Sequence, residues 1–555
     1  MEETITIYCK NNQTSIDVPI GSSLLEIYEA VGCPLKSKPM NAQVNNSTER
    51  LAYRCYQPKD VEFIDYTKRS GLRTYVRSLC HIFSKAVHDL WPSATLILEH
   101  PISNGYYSII RNGKPVDQEA IDQIKARMQE LIDADLPFIR KTIRTPDAVV
   151  MFREHGMEDK ARLLETVGLA YTDYYELDGY ANYFYGCLVP YTGFIHLFDL
   201  APYMDGVLLR IPRQDNLEEL MPLIQQDKMF EAYKEHLTLQ HTVGLDNVGD
   251  LNAIVQRGLS QGAILVSEAM QEKQIARIAY EIAEAYKEGV RIVLIAGPSS
   301  SGKTTFCKRL QIQLITNLLN PVGISLDDYF LSREESPRDE SGDYDFESLY
   351  ALDLPYLNKD LKRLLAGEEI ELPSYNFETG SRAFKGHTLK LQKDSILVLE
   401  GIHALNPELT KFIDDKFKYK VYVSVLTSIS LDNHNWIPTT DNRMLRRIIR
   451  DYQFRGSSAE STIRRWPSVR RGEDKWIFPY QENADAMFNS AMIYELAALR
   501  KYAEPILSQV PESSDAHSEA DRLLHFLRYF NYIPIEKLPF TSLLREFLGG
   551  GSFKY

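Results

Sequence analysis

Positive charge, paired cysteines and long apolar runs are all scarce in this chain. Its 63 lysines and arginines face 76 aspartates and glutamates, leaving a formal charge of −13 and a pI near 5.5. That balance argues against a general nucleic-acid coat, since phosphate backbones are met by spread positive charge, and leaves only a local basic site open. The six cysteines, Cys9, Cys33, Cys55, Cys80, Cys187 and Cys307, lie far apart with no C-x-x-C pair. Neither a disulfide framework nor a zinc knuckle fits them, and a reduced cytoplasmic setting is expected. No apolar run approaches the roughly 20 residues of a membrane span. The start, Met-Glu-Glu-Thr-Ile-Thr-Ile, is acidic and strand-like rather than a signal peptide. No repeat or low-complexity tract stands out. What is present is ordinary for a soluble protein, 44% hydrophobic and 25% charged over 555 residues, enough for about two to four domains.

Residues 3 to 66 alternate apolar and polar side chains, turn at Asn11-Asn12, and carry a short helix pattern over Ser23–Val31 that Gly32 stops. From Gly71 a helix with Val76, Leu79, Ile82, Phe83, Ala86, Val87 and Leu90 on one face runs to Trp91-Pro92. Strand and helix segments continue to Pro212, and the aromatics between Tyr171 and Tyr185 read as core packing rather than a base-stacking platform. Residues 213–288 read as a connecting region that ends in an amphipathic helix over Ser267–Glu288. Apolar strands at Val322–Leu326, Ile396–Glu400 and Lys418–Val425 then alternate with helical patterns, which predicts a parallel sheet with crossover helices. The tail from Ala503 is read as helical, broken at Pro511–Glu519, with a frayed Gly549-Gly-Gly end.

The most informative segment is Gly297-Pro-Ser-Ser-Ser-Gly-Lys-Thr304, a complete G-x-x-x-x-G-K-[ST] loop between the apolar run Arg291–Ala296 and a helical stretch from Thr304. Its glycines let successive backbone N–H groups curl around phosphate oxygens, and the following helix N-terminus favours the same charge. ATP-binding is therefore expected at Gly297, Ser299, Ser300, Ser301, Gly302, Lys303, Thr304 and Thr305. Lys303 adds a cation at the β- and γ-phosphates, and the Thr304 hydroxyl is a ligand for Mg²⁺. The bland alternative is a glycine turn between strand and helix.

A loop of this kind serves kinases, ATPases and GTPases alike, but no N-K-x-D or T-K-x-D motif follows, which weakens the GTPase reading. A kinase also needs a base, a metal anchor, cationic groups and an acceptor site. Ser325-Leu-Asp-Asp-Tyr-Phe330 puts carboxylates at the end of the second strand, and Asp327 is the expected general base, with helix capping as the alternative use of the pair. Ile396-Leu-Val-Leu-Glu400 ends a buried strand in an acid, a Walker B arrangement in which Glu400 would hold Mg²⁺. Residues 443 to 471 contain nine arginines in an acidic protein. Arg447, Arg450 and Arg455 are expected to close over phosphates; a solvated helix face and a nucleic-acid patch are the other readings.

Taken together, residues 290 to 490 resemble the uridine kinase and phosphoribulokinase family of P-loop kinases. The resemblance implies that Asp327 in Ser325-Leu-Asp-Asp-Tyr-Phe330 is the base. It implies that Asp345-Phe346-Glu347-Ser-Leu-Tyr-Ala-Leu-Asp353 holds ribose hydroxyls, with Glu347 where the family has Asp. It also implies that Tyr375-Asn-Phe377-Glu-Thr-Gly-Ser-Arg382 forms a base pocket, in which Gly380 replaces a histidine. Phe346, Glu347, Tyr375, Phe377 and Arg382 are thus the expected acceptor residues. Arg446-Arg447-Ile-Ile-Arg450-Asp451-Tyr-Gln-Phe-Arg455-Gly456 matches the family lid, with Ser457 in place of the next arginine.

The front half resembles threonyl-tRNA synthetase, on His100-Pro-Ile-Ser-Asn-Gly-Tyr-Tyr107, Ala134-Asp-Leu-Pro137 and Pro190-Tyr-Thr-Gly193. The synthetase's editing ligands are an H-x-x-x-H pair plus a later Cys and His; here those places read His81, Lys85, Phe184 and Leu188, which implies a degenerate scaffold. The expected fold is multidomain: a TGS-like β-grasp over 1–67, an α+β synthetase editing-like domain over 70–212, a connecting helical region over 213–288, an α/β P-loop kinase domain with a parallel sheet over 289–490, and a C-terminal helical extension over 491–555. The expected function is an ATP- and Mg²⁺-dependent nucleoside kinase acting on a 5′-hydroxyl, without a membrane partner. The alternatives are a phosphoribulokinase-like small-molecule kinase and an NTP-dependent protein that interacts with tRNA.

Overall fold

The computed structural model describes residues 3–111, 116–339, 342–376 and 379–554. In the first unit Thr4–Cys9 pairs antiparallel with Thr14–Pro19 and parallel with Lys59–Asp65, and Pro39–Val44 and Ser47–Glu49 complete a five-stranded sheet. The alternation of its first strand buries Ile5, Ile7 and Cys9, against Leu24 and Ile27 of the helix Leu24–Val31. That helix starts at a reciprocal Ser23 and Glu26 capping box and stops at Gly32, whose φ of 58° is left-handed.

The second unit is built on α1 (Arg69–Leu90), whose apolar stripe is buried against antiparallel sheets of four and three strands. Tyr174, Tyr175, Tyr180, Tyr183 and Phe184 are buried while Tyr171 is exposed, so these rings are core and no stacking platform. His81 is enclosed by the rings of Phe138, Tyr180 and Phe184, and burial pushes its pKa down to about 3, which keeps it neutral. Lys85 is held by Asp89 at 2.6 Å, and Phe184 and Leu188 are buried apolar side chains. No group of three or more His, Cys, Asp or Glu able to hold a metal occurs among the described residues.

Three helices follow: Asp227–Val243, Val248–Gln256 and α2 (Ser260–Lys287). The last begins two turns earlier than the expected Ser267, because Ala263 and Ile264 continue its buried face. It leads into a parallel sheet of five strands: β1 (Ile292–Ala296), β2 (Asn320–Ser325), β3 (Ser395–Glu400), β4 (Lys418–Ser424) and β5 (Ala486–Asn489), ordered β2-β3-β1-β4-β5. The strand β5 and the hairpin of Ile370–Asn376 with Ser381–Leu389 were not legible as strands in the sequence. Both are short or polar, and the hairpin's second strand is mostly exposed.

Both faces of this sheet are covered by residues from elsewhere in the chain. Val293, Ile295 and Val398 share one core with Ala148 and Leu164 of the second unit and with Leu523 and Leu543 of the tail. Ile292, Leu294 and Leu397 share another with Tyr107, Leu208, Phe230 and Tyr233. The expected frayed end is instead packed: Gly549 lies 3.3 Å from Phe454 at the position a Cβ would take, and Gly549 O accepts from Arg545 Nη1 at 3.4 Å. Among the described residues no helix is long and apolar enough to cross a membrane.

One ion pair ties the second unit to the sheet. Lys160 and Asp432 are fully buried 2.7 Å apart, and Asp432 also accepts from Asn435 Nδ2 and the His434 amide, each at 2.8 Å. Removing one partner of a buried pair strands the other charge, so Lys160→Met is expected to cost about 3–5 kcal/mol. Lys141→Met, which breaks an exposed pair with Glu176, is expected to leave stability nearly unchanged. Urea denaturation of both variants checks this; equal midpoints would contradict it.

Candidate functional site

The loop joining β1 to α3 (Lys303–Thr316) is set by close packing. A Cβ at Gly297 would lie 2.0 Å from Val423 O, so only glycine lets the loop leave the sheet there. Ser300 and Gly302 take left-handed φ values of 60° and 84°, which turn the backbone into the cradle that precedes the helix N-terminus. The helix α4 (Thr439–Phe454) buttresses it from behind. Arg443 Nη1 donates to Ser299 O at 3.2 Å and pairs with Glu473, whose Oε1 accepts from the Ser299 amide at 3.2 Å. Arg446, fully buried, pairs with Glu495 and donates to Ser490 O at 2.9 Å and to Ser300 O at 3.4 Å. These two arginines are braces of the loop, unlike Arg447, Arg450 and Arg455, which line the cleft. Arg464 and Arg470 are likewise paired, with Asp515 and Glu473.

The loop opens into a cleft of about 1280 Å³ at the C-terminal edge of the sheet, where α/β sheets place their ligands. Ser299, Ser300, Gly302, Lys303, Thr304 and Glu400 line it. Asp327, Phe346, Glu347 and Tyr375 line it as well, together with Arg447, Arg450 and Arg455. Asp327 sits in a 3₁₀ turn directly after β2. Its neighbour Asp328 accepts from the Tyr375 amide at 3.1 Å and so fastens the hairpin. Of the two carboxylates, Asp328 is the structural one.

Buried acids dominate the electrostatics. Glu400 accepts from Thr304 Oγ1 at 3.4 Å, and burial pushes its pKa up to about 7, with Lys303 opposing and Asp327 and Glu546 reinforcing the shift. Glu347 is raised to about 7 as well, by burial, with Arg447 opposing from 3.9 Å. Glu400 Oε2, Glu347 Oε2 and the Ser300 hydroxyl, all on cleft-lining residues, are buried with no hydrogen-bond partner. Such orphaned acceptors and donors around one cleft suit ligand groups. The donor set also fits Mg²⁺, which takes one or two protein oxygens and completes its shell with water and phosphate; Thr304 and Glu400 are the residues that would hold it.

Over the cleft, three lid arginines converge on one acid. Asp451 takes Arg450 at 2.9 Å, Arg447 at 3.3 Å and Arg455 at 3.7 Å. Burial would raise Asp451, but Arg450, Arg447 and Arg455 together hold it below the usual range. Burial and the neighbouring Arg450 bring Arg455 down to about 10. Arg447 Nη1 additionally donates to Ser299 Oγ at 3.0 Å, bridging lid and loop.

One expected acceptor residue, Arg382, does not line this cleft. Arg382 pairs with Asp353 at 2.9 Å and lies over the Tyr356 ring, because Asp353 caps the helix Leu354–Leu365 and draws the guanidinium away. Phe377 lies outside the described residues. Arg333, which sequence reasoning passed over, lines the cleft together with Lys385. A Cβ at Gly380 would lie 2.8 Å from Arg333 Nε, so the arginine fills the space that a side chain at 380 would take. The glycine in the base-pocket motif was the signal that something else must fill that place.

The tail supplies a second unforeseen residue. Glu546 Oε2 accepts from the Thr305 amide at 3.1 Å and from Thr305 Oγ1 at 2.7 Å. Leu543 packs on Gly302, 2.6 Å from where a Cβ would stand. A carboxylate thus occupies part of the anion-binding N-terminus of α3.

Residues 292–496 match the model of the Phosphoribulokinase / Uridine kinase family. A uridine kinase from Ureaplasma urealyticum serovar 10 is 29% identical over 197 residues, 35% of this chain and 85% of that protein. A threonine–tRNA ligase from Methylobacillus flagellatus is 26% identical over 190 residues, 34% of this chain and 30% of that protein, a likeness that falls on the N-terminal region. The chain thus spans less than a third of that ligase's length. Among solved structures, a possible uridine kinase from Bacillus stearothermophilus aligns over 39% of this chain and 98% of its own, with 20% identity and a TM-score of 0.29.

Glu546→Ala removes a negative charge beside the phosphate loop and frees two donors of Thr305. It is expected to tighten ATP binding about tenfold, ~1.4 kcal/mol, in isothermal titration. Unchanged or weaker binding would contradict competition between this carboxylate and a triphosphate.

Proposed function

We propose that this chain transfers the γ-phosphoryl group of ATP to a hydroxyl of a small acceptor, a nucleoside 5′-hydroxyl being the class its cleft supports best. The observation that carries the reading is a single cleft lined by the phosphate loop, Asp327, Glu347, Tyr375 and the lid arginines. Asp327 takes the acceptor's hydroxyl proton as that oxygen bonds to the γ-phosphorus, and the bond to the β,γ-bridging oxygen breaks to release ADP. Lys303, Arg447, Arg450 and Arg455 offset the charge spread over the transferring group. Mg²⁺, held by Thr304 and Glu400, supplies charge neutralisation at the β- and γ-phosphates when bound. Lid closure follows from competition: a triphosphate offers Arg447, Arg450 and Arg455 more negative charge than Asp451 does. Tyr375, tilted against Phe330 at 5.7 Å, supplies an aromatic wall for a base, and Glu347 supplies carboxylate oxygens for a diol.

A second reading, an acceptor that carries its own negative charge as in the phosphoribulokinase-like alternative, is favoured by Arg333 and Lys385 in the cleft lining. The variant Arg333→Ala separates the two: about a tenfold or greater loss of kcat/KM with a sugar phosphate, and little change with a nucleoside. For the N-terminal half, whose likeness is to a tRNA ligase, ligands in place of Lys85, Phe184 and Leu188 would be needed for metal-assisted deacylation, so a supporting role for that half is the reading we adopt.

Two measurements test the main reading. Asp327→Asn is expected to lower kcat by about 10²–10⁴ with ATP affinity retained; an unchanged kcat removes Asp327 from the base role. Because burial raises Glu347 to about 7, it is protonated below that pH and loses acceptor capacity. The kcat/KM for the acceptor is therefore expected to fall from pH 8 to pH 6, approaching tenfold per unit. In Glu347→Gln that slope should become shallower, with the remainder belonging to Glu400, which burial also raises to about 7, and a slope unchanged by the substitution would assign the titration elsewhere.

A further inference from the structure

A second cavity, of about 200 Å³, lies between α1 and the N-terminus of α4, on the opposite end of that helix from the lid arginines. Its floor is a row of three arginines one turn apart on α1, Arg69, Arg73 and Arg77. Its walls are the half-buried rings of Tyr106, Tyr185 and Trp436, the first and last in contact at 4.6 Å.

The charge there does not balance. Arg73 pairs with Glu519 at 2.9 Å, but Glu519 is shared with Arg522 at 2.8 Å. Asp441, the one acid lining the cavity, is taken bidentately by Arg522 at 2.7 and 2.9 Å. Arg470, the next cation, has Glu473 and Asp474. Among the described residues Arg77 has no carboxylate partner; it donates to Cys187 O at 3.1 Å and lies over the Tyr185 ring. Arg69, exposed at the mouth, has none either. Four arginines thus share two carboxylates, and burial lowers the pKa of Arg77, the mark of a cation whose neutralising partner is missing. Pro438, Thr440 and Asp441 bring the first turn of α4 to the same cavity, and a helix N-terminus adds its own preference for negative charge.

We propose that this cavity binds the phosphate group of a small phosphorylated molecule between Arg69, Arg73 and Arg77, with the rest of the ligand against Tyr106, Tyr185 and Trp436. Arginine is suited to this because its planar fork meets phosphate bidentately and its face lies on aromatic rings. The site joins α1 of the synthetase-like unit to the helix that carries Arg447 and Arg450. A ligand there would bear on the lid from the far end of α4. The proposal does not depend on the chemistry of the main cleft.

Inorganic phosphate is the probe, in equilibrium dialysis with the full chain. Lys303→Met disables the phosphate loop and is the background for every comparison. In that background one saturable phosphate site is expected; Arg69→Gln should weaken it at least tenfold, Arg69→Lys, which keeps the charge but loses the fork, should weaken it less than Arg69→Gln, and Arg447→Ala, in the lid, should leave it in place. Arg69 is exposed, so its variants should keep the parent's circular dichroism and melting midpoint. Absence of saturable binding in the Lys303→Met background, or binding indifferent to Arg69→Gln, would overturn the proposal. Acceptor phosphorylation plays no part in this readout, so a failure here and a failure of the phosphotransfer reading are separately visible.

Discussion

A single buried guanidinium holds the functional half of this protein together. Arg446 pairs with Glu495, donates to Ser490 O, reaches Ser300 O of the phosphate loop and lies 5.0 Å from the centre of the Phe547 ring. It therefore joins the lid helix, the loop after β5, the phosphate loop and the tail. A fully buried charge of this kind persists only when every donor is satisfied, which fixes the geometry of its partners. Next to it Arg443 and Glu473 repeat the arrangement on Ser299. The phosphate loop is thus set in place by these buried pairs, while the arginines that line the cleft, Arg447, Arg450 and Arg455, share the single carboxylate of Asp451.

The loop, β3 and the acid that follows β2 were legible in the sequence because each is local. A glycine spacing, an apolar run ending in Glu400 and an acid ending β2 all specify their structure within a few residues. The lid was legible only in outline. Nine arginines in 29 residues predict a cationic lid, but the division between bracing Arg443 and Arg446 and cleft-facing Arg447, Arg450 and Arg455 depends on where Glu473 and Glu495 fall in space. Arg382 was misplaced for the same reason, since Asp353 claims it. Arg333 and Glu546 reach the cleft through tertiary packing alone, and nothing local to either announces it.

The long front half is not an appendage. Its side chains supply part of the core on both faces of the parallel sheet, and Lys160 is buried against a kinase-unit acid. The editing-type positions are filled by an enclosed neutral histidine, a paired lysine and two apolar residues, so that half retains its packing role without ligands for a metal. The tail behaves similarly. Its Gly549 packs on the lid helix and its Leu543 on the loop, and its Glu546 carboxylate satisfies the donors of Thr305.

The central claim is that the cleft carries a phosphoryl group to an organic hydroxyl. Mass spectrometry of the acceptors after incubation with ATP, Mg²⁺ and a panel of nucleosides, sugars and sugar phosphates tests it most directly. The account predicts that at least one acceptor gains a single phosphoryl group in step with ADP formation. Release of inorganic phosphate at a rate indifferent to every acceptor would contradict it.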